Sequence, residues 1–211
     1  MKRSTWVIMI FALFLVGSTA LVGQTSAAEK IYFEAFDTFD PFHGVGNILN
    51  PGTLTCPGGY PLPPPSGPPY NPDDFLVSPC SEGSRVHTRG YTILTRFDAT
   101  MDDSEDLDLV SGFATITINA NFDADGNGPA WGTISIAPDL DKEGTWDGRW
   151  EGIRVKKGDL WVIPVHASLR GTGGLVEGMH YKAVDKIETP YFVVVGYDGE
   201  IVGRIIDPHS K

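Results

Sequence analysis

The sequence predicts an all-β protein, an antiparallel barrel or sandwich, and three observations carry that prediction. Short segments rich in Thr, Ile, Val and aromatic residues recur after Ser84, polar and apolar residues alternate within them, and glycine-rich breaks separate them. With "KIYFEAF" ahead of them they make eight or nine strands, and no stretch reads as a convincing helix. Strands this short and this evenly spaced fit a sheet that closes on itself or packs on a second sheet.

Residues 1–28 stand apart from that pattern. Lys2 and Arg3 precede an apolar run from Trp6 to Val16, and small residues end the segment at Ser26-Ala27-Ala28. This is the form of a secretory signal, with an uncleaved membrane anchor as the competing reading. The expected location is therefore secreted or periplasmic, with no stable membrane anchor once the signal is removed. The remaining chain, 29–211, is roughly 183 residues, enough for a single domain with a substantial core. It keeps 14 basic and 27 acidic residues, so its net charge is −13 against −11 for the whole chain. A surface of that sign repels phosphate backbones, which argues against nucleic acid as a partner.

Residues 41–84 read as a proline- and glycine-rich loop insertion. Ten of the sixteen prolines fall in "PGTLTCPGGYPLPPPSGPPYNPDDFLVSPC", and neither a period of two nor one of 3.6 is present. The run "PLPPPSGPP" favours polyproline II or turn and cannot donate to a sheet. Cys56 and Cys80 both lie in this segment, and oxidation is expected in an exported chain, so a disulfide between them is predicted. Closing a loop of about 25 residues stabilises by roughly 3 kcal/mol in the chain-entropy picture. A folded flap is the expected form, with a partner-docking segment as the alternative.

Beyond this loop come "VHTRGYTILTRF", the acidic link "DATMDDSEDLD", and then "GFATITINANF", "WGTISI", "GTWDGRWEGIRV", "LWVIPVHASL", "GLVEGMHYKAV" and "YFVVVGYDGEIVGRII". Alternate side chains on a strand face opposite ways. Ala114, Ile116, Ile118, Ala120 and Phe122 therefore share a core face, as do Trp161, Ile163, Val165, Ala167 and Leu169, leaving His166 and Ser168 outside. Trp146, Gly148, Trp150 and Gly152 share another, opposed by Asp147, Arg149 and Glu151, and the glycines leave room for indole rings to lie across a curved sheet.

"GTWDGRWEG", followed by "LRGTGGLVEGMHYKAVDKI", resembles the second half of the allene oxide cyclase and dirigent barrels. It looks closer still to uncharacterised secreted bacterial proteins of that barrel type. The resemblance covers roughly residues 85–185. It implies an eight-stranded antiparallel barrel, calycin-like or allene oxide cyclase-like, with a hydrophobic interior that holds a reactive lipid or steers a coupling reaction. It also implies dimers or trimers, which are common among such barrels, although no oligomer motif is visible. In allene oxide cyclases the first barrel strand supplies a glutamate with an asparagine two residues on. Glu34 in "YFEAF" matches the glutamate, and Phe36 stands where the asparagine would be.

Polar groups on an inner face are informative, since a barrel of this size either fills with side chains or holds one small ligand. Parity places Glu177 with Leu175, Met179, Tyr181 and Ala183, and places His87 and Arg89 with Tyr91, Ile93 and Phe97. An interior Arg89–Glu177 pair would make Glu177, with Glu34, a candidate acid or base. Glu177 at the barrel end, accepting hydrogen bonds from the glycine turn, is the plainer alternative. Candidate ligand-binding residues are Arg89, Tyr91, Trp146, Trp150 and Tyr181. No histidine pair has ligand spacing, so no zinc site is expected, and no cofactor is implied.

"DADGNG" tests the case for calcium. With Asp123 at position 1 of an EF-hand loop, Asp125, Asn127 and Gly128 fall correctly, but position 12 is Ile134 and both flanks read as strand. A hairpin turn fits better, because Asp-Gly and Asn-Gly supply positive φ. A weak calcium site at Asp123, Asp125 and Asn127 is the alternative. The functional expectation is a secreted barrel that binds a small apolar or amphipathic molecule inside. The rivals are a cyclase or isomerase using an interior carboxylate, and a non-catalytic extracellular interaction module whose barrel is filled by Trp146, Trp150 and Trp161.

Overall fold

A computed structural model of the chain describes residues 28–57, 80, 83–100, 109–140, 143–192 and 196–209. Ten strands form one antiparallel sheet: β1 (Glu29–Phe39), β2 (Asn47–Asn50), β3 (Thr53–Thr55), β4 (Val86–Thr100), β5 (Gly112–Phe122), β6 (Gly128–Pro138), β7 (Thr145–Lys157), β8 (Leu160–Thr172), β9 (His180–Thr189) and β10 (Tyr197–Asp207). From β4 to β10 each strand pairs with the next. The circle closes through β1, which pairs along its whole length with β10 and, over Glu34–Thr38, with Thr100–Arg96 of β4. The result is a closed eight-stranded barrel, as the strand pattern and the resemblance implied. The signal-like segment lies outside the described residues apart from Ala28.

β2 and β3 are the two outer strands, and they correct the reading of 41–84 as loop throughout. β1 covers only the last five residues of β4, so the N-terminal part of β4 would otherwise present an open edge. The chain turns at Asp40–Val45 and then lays Asn47–Asn50 and Thr53–Thr55 antiparallel along β4, as far as His87. Strands of four and three residues are too short to show a period, and tertiary pairing decides them. The predicted disulfide is present between Cys56 and Cys80, with Cα atoms 5.7 Å apart, and Cys80 is buried in the core. The proline-rich run lies outside the described residues. The acidic link begins later than expected, because β4 continues to Thr100, and residues 101–108 also lie outside.

The core faces follow the parities read from sequence. Ala114 to Phe122 and Trp161 to Leu169 face inward, and His166 and Ser168 are exposed. Packing in β7 depends on glycines in the neighbouring strand as well as its own. Trp150 pairs with Gly132 of β6, and its indole passes over that glycine to donate from Nε1 to the Thr117 carbonyl of β5 at 3.2 Å. A Cβ at position 132 would strike that carbonyl and lie 2.9 Å from Trp150 Nε1. Glycine is thus required by close approach rather than by backbone angle.

Each end of the barrel is stoppered differently. At one end Trp146 donates to the Leu109 carbonyl at 2.7 Å and meets Tyr181, which in turn packs on Phe33 with ring centroids 5.0 Å apart. At the other, the fully buried Arg154 lies over the rings of Phe122 and Trp161, 4.6 and 4.7 Å from their centroids. Its guanidinium donates to the carbonyls of Tyr191 and Phe192. Burial lowers its pKa to about 9, so it remains a cation at neutral pH, held by ring faces and carbonyl oxygens. Replacing Gly132 by alanine should cost about 1–3 kcal/mol, the usual scale of overpacking. A urea titration followed by tryptophan fluorescence would show it, and an unchanged midpoint would contradict the crossing of β6 by Trp150.

Candidate functional site

Alternation along β1 and β9 carries two acids inside. On β1 the inward set is Phe33, Ala35, Asp37 and Phe39, with Asp37 only 1 % exposed. On β9 it is Tyr181, Ala183 and Asp185, the last 7 % exposed. β10 lies between these strands, and there Gly199 pairs with Asp37. A Cβ at 199 would sit 2.7 Å from Asp185 Oδ1, so this glycine is the space into which the Asp185 carboxyl leans. The two acids thus face the same interior from either side of β10.

Their surroundings differ. Asp37 Oδ1 accepts from Thr95 Oγ1 of β4, and Oδ2 accepts from the Tyr197 hydroxyl of β10, both at 2.7 Å. Thr95 Oγ1 also lies 2.9 Å from the Thr38 carbonyl. Asp185 Oδ1 is buried with no hydrogen-bond partner among the described residues. Burial raises the pKa of Asp37 to about 7, against the opposing effect of its two hydroxyl donors, with repulsion from Asp198 adding to the rise. Burial, and then repulsion from Asp37, raises Asp185 to about 8. The two acids therefore titrate as a pair near neutrality. Tyr181 and Tyr197 are pushed up by burial and by both carboxyls, and remain neutral hydroxyls.

Both acids line an interior cavity of about 50 Å³ to which all eight barrel strands contribute. Asp37, Tyr197, Asp185 and Tyr181 form its polar wall, on β1, β10 and β9. The facing wall is apolar, with Ile134 and Trp150 from β6 and β7 and Ile163 from β8. A space of this size exceeds what one water needs, roughly 10–15 Å³, and falls short of the roughly 150 Å³ that accommodates benzene. It suits a few waters or a short organic group.

The residues singled out from sequence divide sharply. Trp150 and Tyr181 line the cavity, Tyr91 is buried, and Trp146 is buried in the end stopper. Glu34 and Phe36 point outward, because the inward parity of β1 runs through the odd-numbered residues. Glu177 is also exposed, on the connection between β8 and β9. There Gly173, Gly174 and Gly178 adopt positive φ, and a 3-10 turn spans Gly174–Val176, so strand parity does not extend through 173–178; Val176 is buried instead.

Arg89 is likewise outside, and the Arg89–Glu177 pair does not form. A bulge between Thr88 and Tyr91, with Gly90 at φ 67°, shifts the register and turns His87 and Arg89 to the surface. There Arg89 donates to the Ala120 carbonyl and Asn121 Oδ1 and lies over the Trp131 ring. Asp37 and Asp185 were missed by the sequence reading, although the signal existed. Extending the alternation two residues past Ala35 and past Ala183 reaches both.

"DADGNG" is the hairpin tip between β5 and β6. Asp123 Oδ1 accepts from the amides of Asp125 and Asn127 at 3.0 and 2.8 Å, and Asn127 Oδ1 accepts from the Lys156 amide at 2.7 Å. Asp123 and Asn127, two of the three side chains of the calcium alternative, thus bond backbone amides, and Gly126, at φ 78°, lies beneath Trp161. No family model, curated protein or solved structure matches this chain.

The carboxyl pair sets a pH dependence. Unfolded, both acids ionise near 3.8; folded, near 7 and 8. Between those values the folded protein holds protons that the unfolded chain has released, so stability falls as pH rises from about 4 to about 8 and then levels. The urea midpoint should be lower at pH 8.5 than at pH 5.5, and Asp185→Asn should flatten the decline. A midpoint that rises across this window would refute the assignment.

Proposed function

We propose that this protein is an exported β-barrel that binds a small apolar or amphipathic molecule in its interior. The observation that carries the reading is the cavity to which every barrel strand contributes, apolar on one wall and acidic on the other. A site of that form, mostly apolar with a few convergent polar groups, is what small-molecule binding requires. The resemblance to allene oxide cyclase-like and dirigent-like barrels points the same way. Export is supported by the Cys56–Cys80 disulfide, which suits an oxidising compartment. No helix among the described residues is long and apolar enough to cross a membrane, which is compatible with that location.

A second reading, acid–base catalysis in the same interior, is favoured by one observation. Two carboxyls with pKa values near 7 and 8 are poised to give or take protons at neutral pH. Asp37 and Asp185 would carry that chemistry, in place of the outward-facing Glu34 and Glu177. The filled-barrel interaction module is the weakest of the three, because a cavity remains beside Trp150.

Filling the cavity tests the first reading. Ala183→Leu places three extra carbons on the lining and should leave the melting temperature unchanged or raise it, as cavity-filling commonly does by about 0.5–2 kcal/mol. It should also weaken ethanol binding, measured by calorimetry, by about tenfold or more, since overpacking a filled space costs over 1 kcal/mol. Equal binding by the variant and the unaltered protein would place the ethanol elsewhere. Mass spectrometry of material co-purifying with the exported protein would then identify the natural occupant.

A further inference from the structure

The acidic wall of the cavity is short of donors. Asp37 has both oxygens taken, by Thr95 and Tyr197, whereas Asp185 Oδ1 is buried, borders the cavity and meets no donor among the described residues. An orphaned buried acceptor is costly, and native proteins seldom leave one unless something else completes it. The groups packed around the two acids are Thr95 from β4, Tyr181 from β9, and Tyr197 from β10, with Asp198 acting on Asp37 from outside. All are neutral or anionic.

No lysine, arginine or histidine lines the cavity among the described residues. Arg154, the buried cation among the described residues, is not part of the lining and is committed to the carbonyls of Tyr191 and Phe192. The interior thus holds two acids without a countercharge, in a chain whose net charge of −11 already draws cations towards it.

We propose that the Asp37–Asp185 pair selects a small primary amine, its ammonium group beside Asp185 Oδ1 and its short apolar body against Ile134, Trp150 and Ile163. An ammonium brings three donors and a positive charge, so one group satisfies the open acceptor and relieves the repulsion between the acids. A carboxylate ligand would add a third negative group to the same wall. An alcohol would supply one donor and no charge. The cavity, about 50 Å³, limits the apolar body to one or two carbons. This proposal rests on the interior-binding reading and narrows it to a chemical class.

The test compares ethylamine, ethanol and acetate by calorimetry at pH 6.0 and 8.5. Ethylamine stays protonated throughout, as lysine does, so a change in affinity reports groups of the protein, and the acids that line the cavity are Asp37 and Asp185. Its affinity should rise about tenfold or more between the two pH values, because at pH 6.0 binding must displace a proton. At pH 6.0 the heat in two buffers of different ionisation enthalpy should reveal release of about one proton per amine bound. Asp185→Asn, checked for folding by circular dichroism, should abolish both effects while retaining ethanol binding.

Ethanol binding as tightly as ethylamine, with neither pH-dependent, would sink the amine assignment and leave interior binding standing. Acetate binding more tightly than ethylamine would sink it too. Failure of all three ligands to bind, in the unaltered protein and in Ala183→Leu alike, would remove both readings. The pH profile and proton release are measured on the unaltered chain, so they decide the matter even if Asp185→Asn does not fold.

Discussion

The Asp37 carboxyl ties together the three strands on which closure of the barrel depends. Thr95 on β4 and Tyr197 on β10 both donate to it, and β1, which carries it, joins those two strands into a circle. On the β4 side the backbone pairing spans only five residues of β1, fewer than any other junction of the barrel. A buried acid at that seam adds side-chain bonds where the backbone ladder is thinnest. Burial in turn holds the acid near neutrality, so the group that fastens the wall is also a chemically responsive group of the interior. Closure and chemistry share one side chain.

Space inside the barrel exists because the large side chains are anchored away from its centre. Trp146 is fixed by the Leu109 carbonyl at one end, and Arg154 by two carbonyls and two aromatic faces at the other. Trp150 lies flat across Gly132, held by the Thr117 carbonyl, and so lines the cavity instead of filling it. Each indole here is positioned by its N–H as well as by its apolar surface, the usual requirement for burying tryptophan. A carbonyl within reach decides whether such a ring becomes a stopper or a wall.

Much of this was legible in the chain. Alternation gave the inward faces of β5, β7 and β8, and the Asp-Gly and Asn-Gly pairs gave the β5–β6 turn, because both signals are local. Arg89 and Glu177 were misplaced for one reason: positive-φ glycines interrupt strand parity at Gly90 and at 173–178, and nothing in a period-two count registers a bulge. Glu34 came from a resemblance, and the alternation of the same strand, which reaches Asp37 three residues on, was not extended to it. The short strands β2 and β3 could not be read at all, since what makes them strands is an unoccupied edge on β4. Contacts between Asp37 and Tyr197, 160 positions apart, lie equally beyond any local rule.

The route of the backbone around the ring has a consequence of its own. From β4 to β10 neighbouring strands are also consecutive in the chain, and β1 completes the circle with Glu29 opposite Asp207. Antiparallel neighbours need a connection of only two to five residues. The barrel is therefore close to a cyclic polymer of hairpins in which the position of the chain break is nearly arbitrary. Joining Asp207 to Glu29 by a short turn and reopening the chain at the exposed tip, Asp123–Asp125, would give a circular permutant with every strand beside its present neighbours. The β1–β10 junction would then be bridged covalently, and the pairing that now spans the greatest sequence separation would become a local one, which favours faster folding.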